Sequence, residues 1–326
     1  MASLTFAPLP SWGNAFKAVL LSSDVPDKEL ATPWLKRNEE GYWLSRSAWS
    51  LYLVAKFRMR VIGKDSITVW FPDYFCNTSI VPLRSLGITL KFFPILKDGN
   101  PDLSACEELL HEGKPDLIVA VHYFGKPASF KELSDFSAKN EAWLIEDGAH
   151  VLRRVNGVGN YGDFVLYSPH KFLPIPDGGL LICCDSGPGK ITKNILEQFD
   201  FNSIHSSIIN DGDPSKKMTL KWLVKRLLQR AGVQGKHVKV EFQGDETIMD
   251  VGDSPHPRMS ELSKSLLKLI LPNLEKESSI RKANQEQWNV CLPNMDIDRA
   301  TFSPLTGSYT PYLATFSCEN SQVAEN

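Results

Sequence analysis

The sequence predicts an α/β protein built on a mostly parallel β-sheet with helices on both faces. Over the first two-thirds of the chain, short apolar segments typical of buried strands alternate with segments typical of helices. The chain has 326 residues, of which 42% are hydrophobic, enough for one large core and a smaller second one. We therefore expect a large α/β domain followed by a smaller C-terminal α/β lobe.

The predicted strands are short apolar runs. They lie at residues 66–71, 89–93, 117–122, 143–146, 164–168 and 179–183. The helices predicted between or beside them lie at residues 47–57, 78–86, 103–110 and 130–139. Because strands and helices alternate, we expect crossover connections, which place successive strands parallel to one another.

The rest of the chain is assigned by periodicity and by turn-forming residues. Helical periodicity extends over residues 191–230, 259–273 and 276–288, whereas residues 238–252 resemble a loop or hairpin and residues 301–326 the start of a strand-containing lobe. Residues 1–40 contain several prolines and are predicted to form an arm or loops. The expected domains are an N-terminal arm (1–40), a large domain (41–235), and a linker helix with a small, truncated domain (236–326).

Charge and composition argue against several functional classes. The net charge of −2 and the pI near 6.4 give no overall attraction to nucleic acid or to an anionic membrane. We expect neither export nor membrane spanning, because residues 1–15 do not follow the pattern of an export signal and no run of 18 apolar residues occurs in the sequence. The six cysteines lack the C-x-x-C spacing, which favours reduced thiols. We expect a cytoplasmic protein with small-molecule partners, no metal, and a basic stretch at 216–230 that is a solvated helix face.

Polar residues follow several of the predicted strands. His122, Asp147, His150 and the segment 168–171 all come directly after apolar runs. In a parallel sheet, ligands gather beyond the carboxyl ends of the strands. The sequence therefore predicts one site to which these residues converge.

Lys171 is the candidate reactive residue of this site. It stands between two strand-like runs, flanked by Pro169 and Pro174 and followed by Gly178 and Gly179. An amine that attacks a carbonyl must be partly neutral, and desolvation or nearby positive charge lowers its pKa accordingly. From this segment alone, a loop lysine paired with Asp177 is an equally good interpretation.

Each of the other candidates also has a structural alternative. Asp147 can hold a proton on the ring nitrogen of a cofactor, or cap a helix beginning near Gly148. His150 can face the same ring, or be a core histidine satisfied by the backbone. Ser168 offers a hydroxyl group to a phosphate. The backbone N–H groups of Ser47 and Ala48, at a predicted helix start, can bind the remaining phosphate oxygens.

Together these segments resemble the DegT/DnrJ/EryC1/StrS aminotransferases. The shared pattern is Glu-Asp-x-x-His at 146–150, Gly-Asp at 162–163, Ser-x-x-Lys at 168–171 and Asp-Gly-Gly at 177–179. Further matches are the turn after Pro72, the His-x-x-Gly-x-Pro run at 122–127, and Arg-Met at 258–259 before a long helix. The resemblance covers roughly residues 40–290 and is more specific than any single motif.

The resemblance implies a pyridoxal-phosphate enzyme of fold type I that works as a homodimer with shared active sites. It implies that Lys171 is the Schiff-base lysine and general base, Asp147 the partner of the ring nitrogen, His150 a cofactor contact and Ser168 a phosphate ligand. The implied reaction moves an amino group, usually from glutamate, to a keto sugar. That sugar is often nucleotide-linked, in polysaccharide or secondary-metabolite biosynthesis.

The sequence departs from the family pattern in a few places. Cys76 stands where an aromatic residue commonly stacks on the cofactor ring, so Tyr74 or Phe75 are the expected substitutes. His256 replaces an asparagine that reaches the neighbouring subunit's phosphate. Some relatives catalyse dehydration, but they use histidine instead of the lysine, and Lys171 argues against that reaction. A catalytically degenerate or regulatory relative that binds the cofactor is the remaining alternative.

Overall fold

The computed structural model describes residues 8–20, 26–185, 189–211, 216–233, 256–291, 297–298, 309–313 and 317–318. Within these residues, seven strands form one sheet in the order β1-β7-β6-β5-β4-β2-β3. The strands are β1 (Glu40–Leu44), β2 (Thr68–Pro72), β3 (Thr89–Phe93), β4 (Leu117–Val121), β5 (Trp143–Gly148), β6 (Phe164–Tyr167) and β7 (Gly179–Cys183).

The sheet is mostly parallel, as predicted. Strands β3, β2, β4, β5 and β6 run in one direction, whereas β7 is antiparallel to β6 and β1 is antiparallel to β7. Strand β1 was not predicted, because its five residues show no strong strand signal of their own. Its position is fixed by pairing with β7, where Leu44 faces Gly179 and Glu40 faces Cys183.

Helices cover both faces of this sheet, which confirms the predicted architecture. They are α1 (Trp12–Leu20), α2 (Asp27–Ala31), α3 (Ser47–Ile62), α4 (Asn77–Arg84), α5 (Leu103–Leu109), α6 (Lys131–Lys139), α7 (Gly189–Gln198), α8 (Phe201–Asn210), α9 (Lys216–Arg230), α10 (Glu261–Ile270) and α11 (Leu274–Cys291). The helical periodicity predicted for residues 191–230, 259–273 and 276–288 corresponds to α7 to α11. None of the helices in the described ranges is long and apolar enough to span a bilayer.

Alternating residues of each strand face different core clusters. On one face, Val119 and Leu166 pack with apolar residues of α3, α4 and α8. On the opposite face, Val165 and Ile182 pack with residues of α1, α2 and α10, and Ile118 packs beside α6. Because side chains alternate along a strand, neighbouring residues at the end of one strand enter different environments.

The prediction of loops for residues 1–40 is wrong, because α1 and α2 lie within this segment. Its prolines flank these helices instead of interrupting them: Pro26 precedes the first residue of α2, where a missing N–H costs little. The segment is also anchored to the large core. Trp34 is fully buried, and its Nε1 donates a hydrogen bond to the Leu152 carbonyl at 2.9 Å.

The C-terminal region is described only in part. The loop or hairpin predicted at 238–252 and most of the lobe predicted at 301–326 lie outside the described residues. Two short strands, β8 (Ile297–Asp298) and β9 (Ser317–Cys318), pair antiparallel to each other. Residues 309–313 pack against the large domain: the Tyr312 N–H donates to the Phe124 carbonyl at 2.9 Å.

Candidate active site

A cavity of about 200 Å³ lies at the carboxyl ends of β4 and β5. It is lined by Tyr74, Phe75, Cys76, Ser79, Val121, Tyr123, Asp147, Ala149, His150 and Lys171. Five residues that the sequence assigned to the site are among them: Tyr74, Cys76, Asp147, His150 and Lys171. The structure therefore brings together the acid, imidazole and amine predicted from separate segments.

Asp147 lies near the end of β5 and is buried. One of its carboxylate oxygens, Oδ1, accepts a hydrogen bond from the Ala149 N–H at 2.8 Å. Burial raises the pKa of Asp147, while the charge of Lys171 and the Ala149 N–H act in the opposite direction. No helix begins after Gly148, so the helix-cap interpretation does not apply. The carboxyl group is available to a ligand in the cavity.

Lys171 ends a short 3-10 helix, Pro169–Lys171, and its N–H donates to the Ser168 carbonyl at 3.0 Å. The alternative partner, Asp177, is engaged elsewhere: its Oδ1 accepts from the Ser260 N–H at 3.0 Å, and its own N–H donates to Ser263 Oγ. The amine of Lys171 instead lies 5.8 Å from the ring centre of Tyr312. The structure thus places this lysine in the cavity and not in a loop ion pair.

His150 combines features of both interpretations offered for it. The Phe124 N–H is 3.4 Å from Nδ1, which acts as the acceptor, so the proton of the neutral imidazole is on Nε2. Burial, with a smaller contribution from the charge of Lys171, lowers the pKa of His150 to about 3. The imidazole is therefore neutral at physiological pH, and it can donate a hydrogen bond to an oxygen in the cavity.

The predicted phosphate-binding residues also lie together. Ser168 Oγ donates to Ser47 Oγ at 2.8 Å, and both side chains are buried. Ser47 and Ala48 are the first residues of the 16-residue helix α3, so their N–H groups point out of its N-terminus. A Cβ at Gly179 would lie 2.5 Å from the Ser47 nitrogen. Only glycine permits this close packing of β7 against the start of α3.

His122, which the sequence grouped with the site, belongs to the supporting structure instead. Its Nδ1 accepts from the Ala128 N–H at 3.0 Å, so its Nε2 carries the proton and donates to Glu146 at 2.8 Å. Both side chains are fully buried outside the cavity. Glu146 also accepts N–H groups of Tyr161 and Gly162, each at 2.7 Å. This network fixes the loop between β5 and β6.

Cys76 lines the cavity, and it is the residue for which the resemblance implies an aromatic side chain in the family. Its thiol lies 3.0 Å from Thr78 Oγ1. Burial opposes the thiolate, yet hydrogen bonds from Thr78 and Ser79 and the charge of Lys171 lower the pKa of Cys76. Tyr74, one of the two expected substitutes, is 61% exposed, and its ring lies 5.6 Å from that of Tyr123. Both tyrosines line the same cavity.

Two aromatic residues of the site were missed from the sequence. Tyr123 directly follows His122, and it donates its hydroxyl proton to the Tyr74 carbonyl at 2.6 Å. Tyr312 stacks on His150, with ring centres 4.5 Å apart and planes within 8°. A polar residue after a strand was the signal used for His122, and it would have found Tyr123. No local signal points to Tyr312, which reaches the site through tertiary packing.

The residues present fit pyridoxal phosphate. Asp147 and Lys171 line one cavity. The cofactor requires an acid beside its protonated ring nitrogen and an amine beside its aldehyde carbon, and these two side chains match that requirement. The cavity also contains the small Ala149, which leaves space for a flat ring. Ser168, Ser47 and the α3 N-terminus lie together beside the lysine segment, where N–H groups of a helix start can bind a phosphate. Among the described residues, no group of side chains is arranged to hold a metal ion.

The fold and this site together define a pyridoxal-phosphate-dependent protein of fold type I. Residues 66–205 match the DegT/DnrJ/EryC1/StrS aminotransferase family. This match covers less than half of the chain, and over these residues the chain is similar to that family of pyridoxal-phosphate-dependent enzymes. The resemblance, the fold class and the cofactor predicted from the sequence are confirmed.

Solved structures share this fold, and one curated protein matches a short part of the chain. The Escherichia coli enzyme described as GDP-4-keto-6-deoxy-D-mannose-3-dehydratase with bound hydrated PLP is 17% identical, with a TM-score of 0.63, over 96% of this chain and 78% of its own. The Helicobacter pylori aminotransferase of pseudoaminic acid biosynthesis is 16% identical, with a TM-score of 0.57, over 94% and 75%. A Thermococcus kodakarensis serine hydroxymethyltransferase is 32% identical over 90 residues, which are 26% of this chain and only 21% of that enzyme.

Proposed function

We propose that this protein is an aminotransferase that transfers an amino group, with glutamate as donor, to a keto sugar linked to a nucleotide. The observation that carries the proposal is the cavity in which Lys171, Asp147 and His150 meet. The family match supports the reaction class, and the two solved neighbours described above act, by their descriptions, in deoxysugar or sugar-acid chemistry. We place the reaction in the cytoplasm and in polysaccharide or secondary-metabolite biosynthesis.

Each residue has a defined task in this proposal. Pyridoxal phosphate, when bound, withdraws electrons from the carbon that bears the amino group and carries that group between the two substrates. Lys171 attaches the cofactor and then moves a proton as general base. Asp147 holds the proton of the ring nitrogen, and His150 donates its Nε2–H to a ring oxygen. Ser168 and the α3 N-terminus, with Ser47 and Ala48, bind the phosphate.

Of the two aromatic candidates, Tyr74 and Phe75, we propose that Tyr74 is the side chain that lies against the cofactor ring. It lines the cavity wall, as does Cys76. The ring of Tyr74 is largely exposed but is already oriented by its contact with Tyr123. In a homodimer, which the resemblance implies, a second subunit would cover part of this exposed ring. Sedimentation equilibrium tests that arrangement: a single species of twice the chain mass is expected, and a monomer at all concentrations contradicts it.

Dehydration is the competing reaction, because solved neighbours of this fold include proteins described as dehydratases. The presence of Lys171 favours amino transfer, since only an amine can both attach the cofactor and release it to the amino group of a substrate. A degenerate protein that holds the cofactor without turnover is the second alternative. Both alternatives can be separated from the proposal by adding glutamate, because only an aminotransferase converts it to 2-oxoglutarate.

The test begins with covalent attachment. Purified protein is incubated with pyridoxal phosphate, reduced with borohydride and digested, and the modified peptide is found by mass spectrometry. We expect the cofactor mass on Lys171, its loss in Lys171→Ala, and no loss in the control Lys126→Ala, which removes an exposed lysine outside the cavity lining. Attachment at another lysine, or none, contradicts the assignment.

The second step distinguishes the reaction. Without reduction, the absorbance spectrum of the loaded protein should change when glutamate is added, and 2-oxoglutarate should form in an amount equal to the protein. The amino form should then return to its starting spectrum with a nucleotide-linked 4-keto sugar. A loaded protein that gives no 2-oxoglutarate with any amino donor contradicts the aminotransferase proposal and supports the degenerate alternative.

A further inference from the structure

The outer faces of α1 and α9 combine exposed apolar side chains with positive charge. In α9, Leu220 and Val224 are 52% and 50% exposed, and Leu228, one turn further on, is 48% exposed. In α1, Trp12 and Phe16 are 56% and 69% exposed. Single exposed apolar residues are normal on a protein surface, but rows of them on two helices are not.

The basic residues of α9 run beside its apolar row. Lys217, Lys221 and Lys225 recur every four residues, as do Leu220, Val224 and Leu228, so the two rows follow neighbouring lines on one side of the helix. The sequence of α9 has six basic residues and no acidic residue, and α1 adds Lys17 without an acid. The sequence predicted a solvated basic face here, and the structure adds the exposed apolar row beside it.

The two helices face the same side of the molecule. Ala18 of α1 and Trp222 of α9 both pack on the core cluster that also contains Leu266 of α10. Their outer faces therefore point away from that shared cluster. The guanidinium Nη1 of Arg230, at the end of α9, lies 3.4 Å from the Leu9 carbonyl just before α1. The apolar and basic residues consequently form one surface, which we call the α1–α9 surface.

We propose that the α1–α9 surface docks this protein on an anionic lipid bilayer. A bilayer interface accepts this combination: apolar and tryptophan side chains enter the boundary between headgroups and acyl chains, while lysines contact the headgroups. The attraction is local and is compatible with a net charge of −2 for the whole chain. Docking of this kind requires no membrane-spanning helix.

Charge decides between a bilayer and other occupants. If two copies met through the lysine row of α9 on a twofold axis, Lys217, Lys221 and Lys225 of one copy would face the same lysines of the other, and like charges would repel. A nucleic acid would match the charge, but it would leave the apolar rows in water. The bilayer satisfies both features, and it is the occupant to which this inference commits.

The experiment is co-sedimentation of the whole, cofactor-loaded protein with vesicles. Vesicles of phosphatidylcholine containing phosphatidylglycerol should bind the protein, and vesicles of phosphatidylcholine alone should bind it weakly. The variant Lys217→Gln/Lys221→Gln/Lys225→Gln should lower the binding constant by roughly 100-fold, from about fivefold for each lysine removed near the surface. Failure of the wild type to bind the anionic vesicles overturns the proposal.

A matched control separates local from overall charge. The variant Lys114→Gln/Lys131→Gln/Lys139→Gln removes the same charge from exposed lysines of α6 and of the segment before β4, and α6 packs on a different core cluster. It should bind the anionic vesicles as the wild type does. Equal loss of binding in both triple variants means that net charge alone is responsible, and it contradicts the assignment of the α1–α9 surface.

An apolar variant distinguishes the occupants. Phe16→Gln/Leu220→Gln/Leu228→Gln keeps every charge and should weaken vesicle binding at least tenfold, with unchanged circular dichroism and unchanged cofactor attachment at Lys171. Vesicle binding that this variant retains in full indicates a purely electrostatic polyanion site and overturns the proposal. A fall in oligomeric mass in the same variant, without vesicles, also overturns it, because the surface would then be an interface between copies of the chain.

Discussion

Glu146 and Asp147 are adjacent acidic residues of β5, and they lie in opposite environments. Glu146 faces the side of the sheet with His122 and the loop before β6, where four hydrogen-bond donors surround its two oxygens. Asp147 faces the cavity and accepts one described hydrogen bond, from the Ala149 N–H. Alternation along the strand alone separates a structural carboxylate from one that is free to act on a ligand.

The pKa values of the two acids shift in opposite directions. Burial opposes the charge of Glu146, yet the hydrogen bond and charge of His122 and the N–H groups of Tyr161 and Gly162 lower its pKa. Burial raises the pKa of Asp147, with less compensation. The comparison shows that burial does not decide the role of an acid. The number of donors around it does, and an acid with few donors is available for a partner that arrives with a ligand.

The largest effect is expected from Asp147→Asn. The amide cannot hold a proton on the ring nitrogen, and we expect the rate of amino transfer to fall on the order of 10²-fold or more, as when one preorganised electrostatic group is removed. Stability should stay the same or rise, because a buried group whose charged form is disfavoured becomes neutral. Single-turnover kinetics and urea unfolding measure the two quantities. A variant that is unstable but fully active contradicts the assignment.

Glu146→Gln should have the opposite profile. Gln has one acceptor oxygen, so its amide would face two of the four donors, and each unsatisfied buried donor costs about 1–3 kcal/mol. We expect a loss of about 3 kcal/mol in the free energy of unfolding, with residual activity tracking the folded fraction. The control Glu132→Gln, at an exposed acid of α6, should leave stability unchanged within about 0.5 kcal/mol. Equal stability of both variants contradicts the structural role of Glu146.

The pH dependence of stability sharpens the contrast. Because the folded-state pKa of Glu146 is lowered, its stabilisation is present above the unfolded value, about 4.3, and is lost as the pH falls through the folded pKa. The folded pKa of Asp147 is raised, so its cost at neutral pH is relieved as the pH falls through that pKa. The free energy of unfolding should be measured between pH 7 and 3. The loss of stability that Glu146 causes as the pH falls should be absent in Glu146→Gln, and the gain that Asp147 causes should be absent in Asp147→Asn. Parallel curves for the two variants contradict both assignments.

Much of this site could be predicted because its residues follow strands in the sequence. Asp147, His150 and Lys171 are encoded in two short segments, and the parallel sheet brings the ends of those segments together. The same reasoning misplaced His122, because a residue just beyond a strand can point to either face, and the sequence does not say which partner it will meet. The imidazole of His122 forms its hydrogen bond with Glu146, on the side of the sheet away from the cavity.

The features that were missed depend on tertiary contacts. Strand β1 forms by pairing with β7 at the edge of the sheet, and its own sequence gives little signal. Tyr312 reaches His150 because residues 309–313 are held to the large domain and to α11. The Phe124 carbonyl accepts from the Tyr312 N–H, and Arg281 donates to the Tyr312 carbonyl at 3.1 Å. Such contacts between distant segments have no local sequence pattern.

The smallest effect is expected from changes at Tyr312, the residue through which the segment 309–313 contacts His150. Tyr312→Phe keeps the ring that covers His150, and it should leave the titration of the imidazole unchanged. Tyr312→Ala removes the stacked ring, a contact of about 0.5–1.5 kcal/mol, and exposes His150 to water. Since burial is the main cause of its lowered pKa, the pKa of His150 should rise from about 3 towards its ordinary value. Proton NMR of the His150 imidazole follows this titration directly. If the alanine variant titrates like the phenylalanine variant, the C-terminal segment does not shield His150, and the site is formed by the large domain alone.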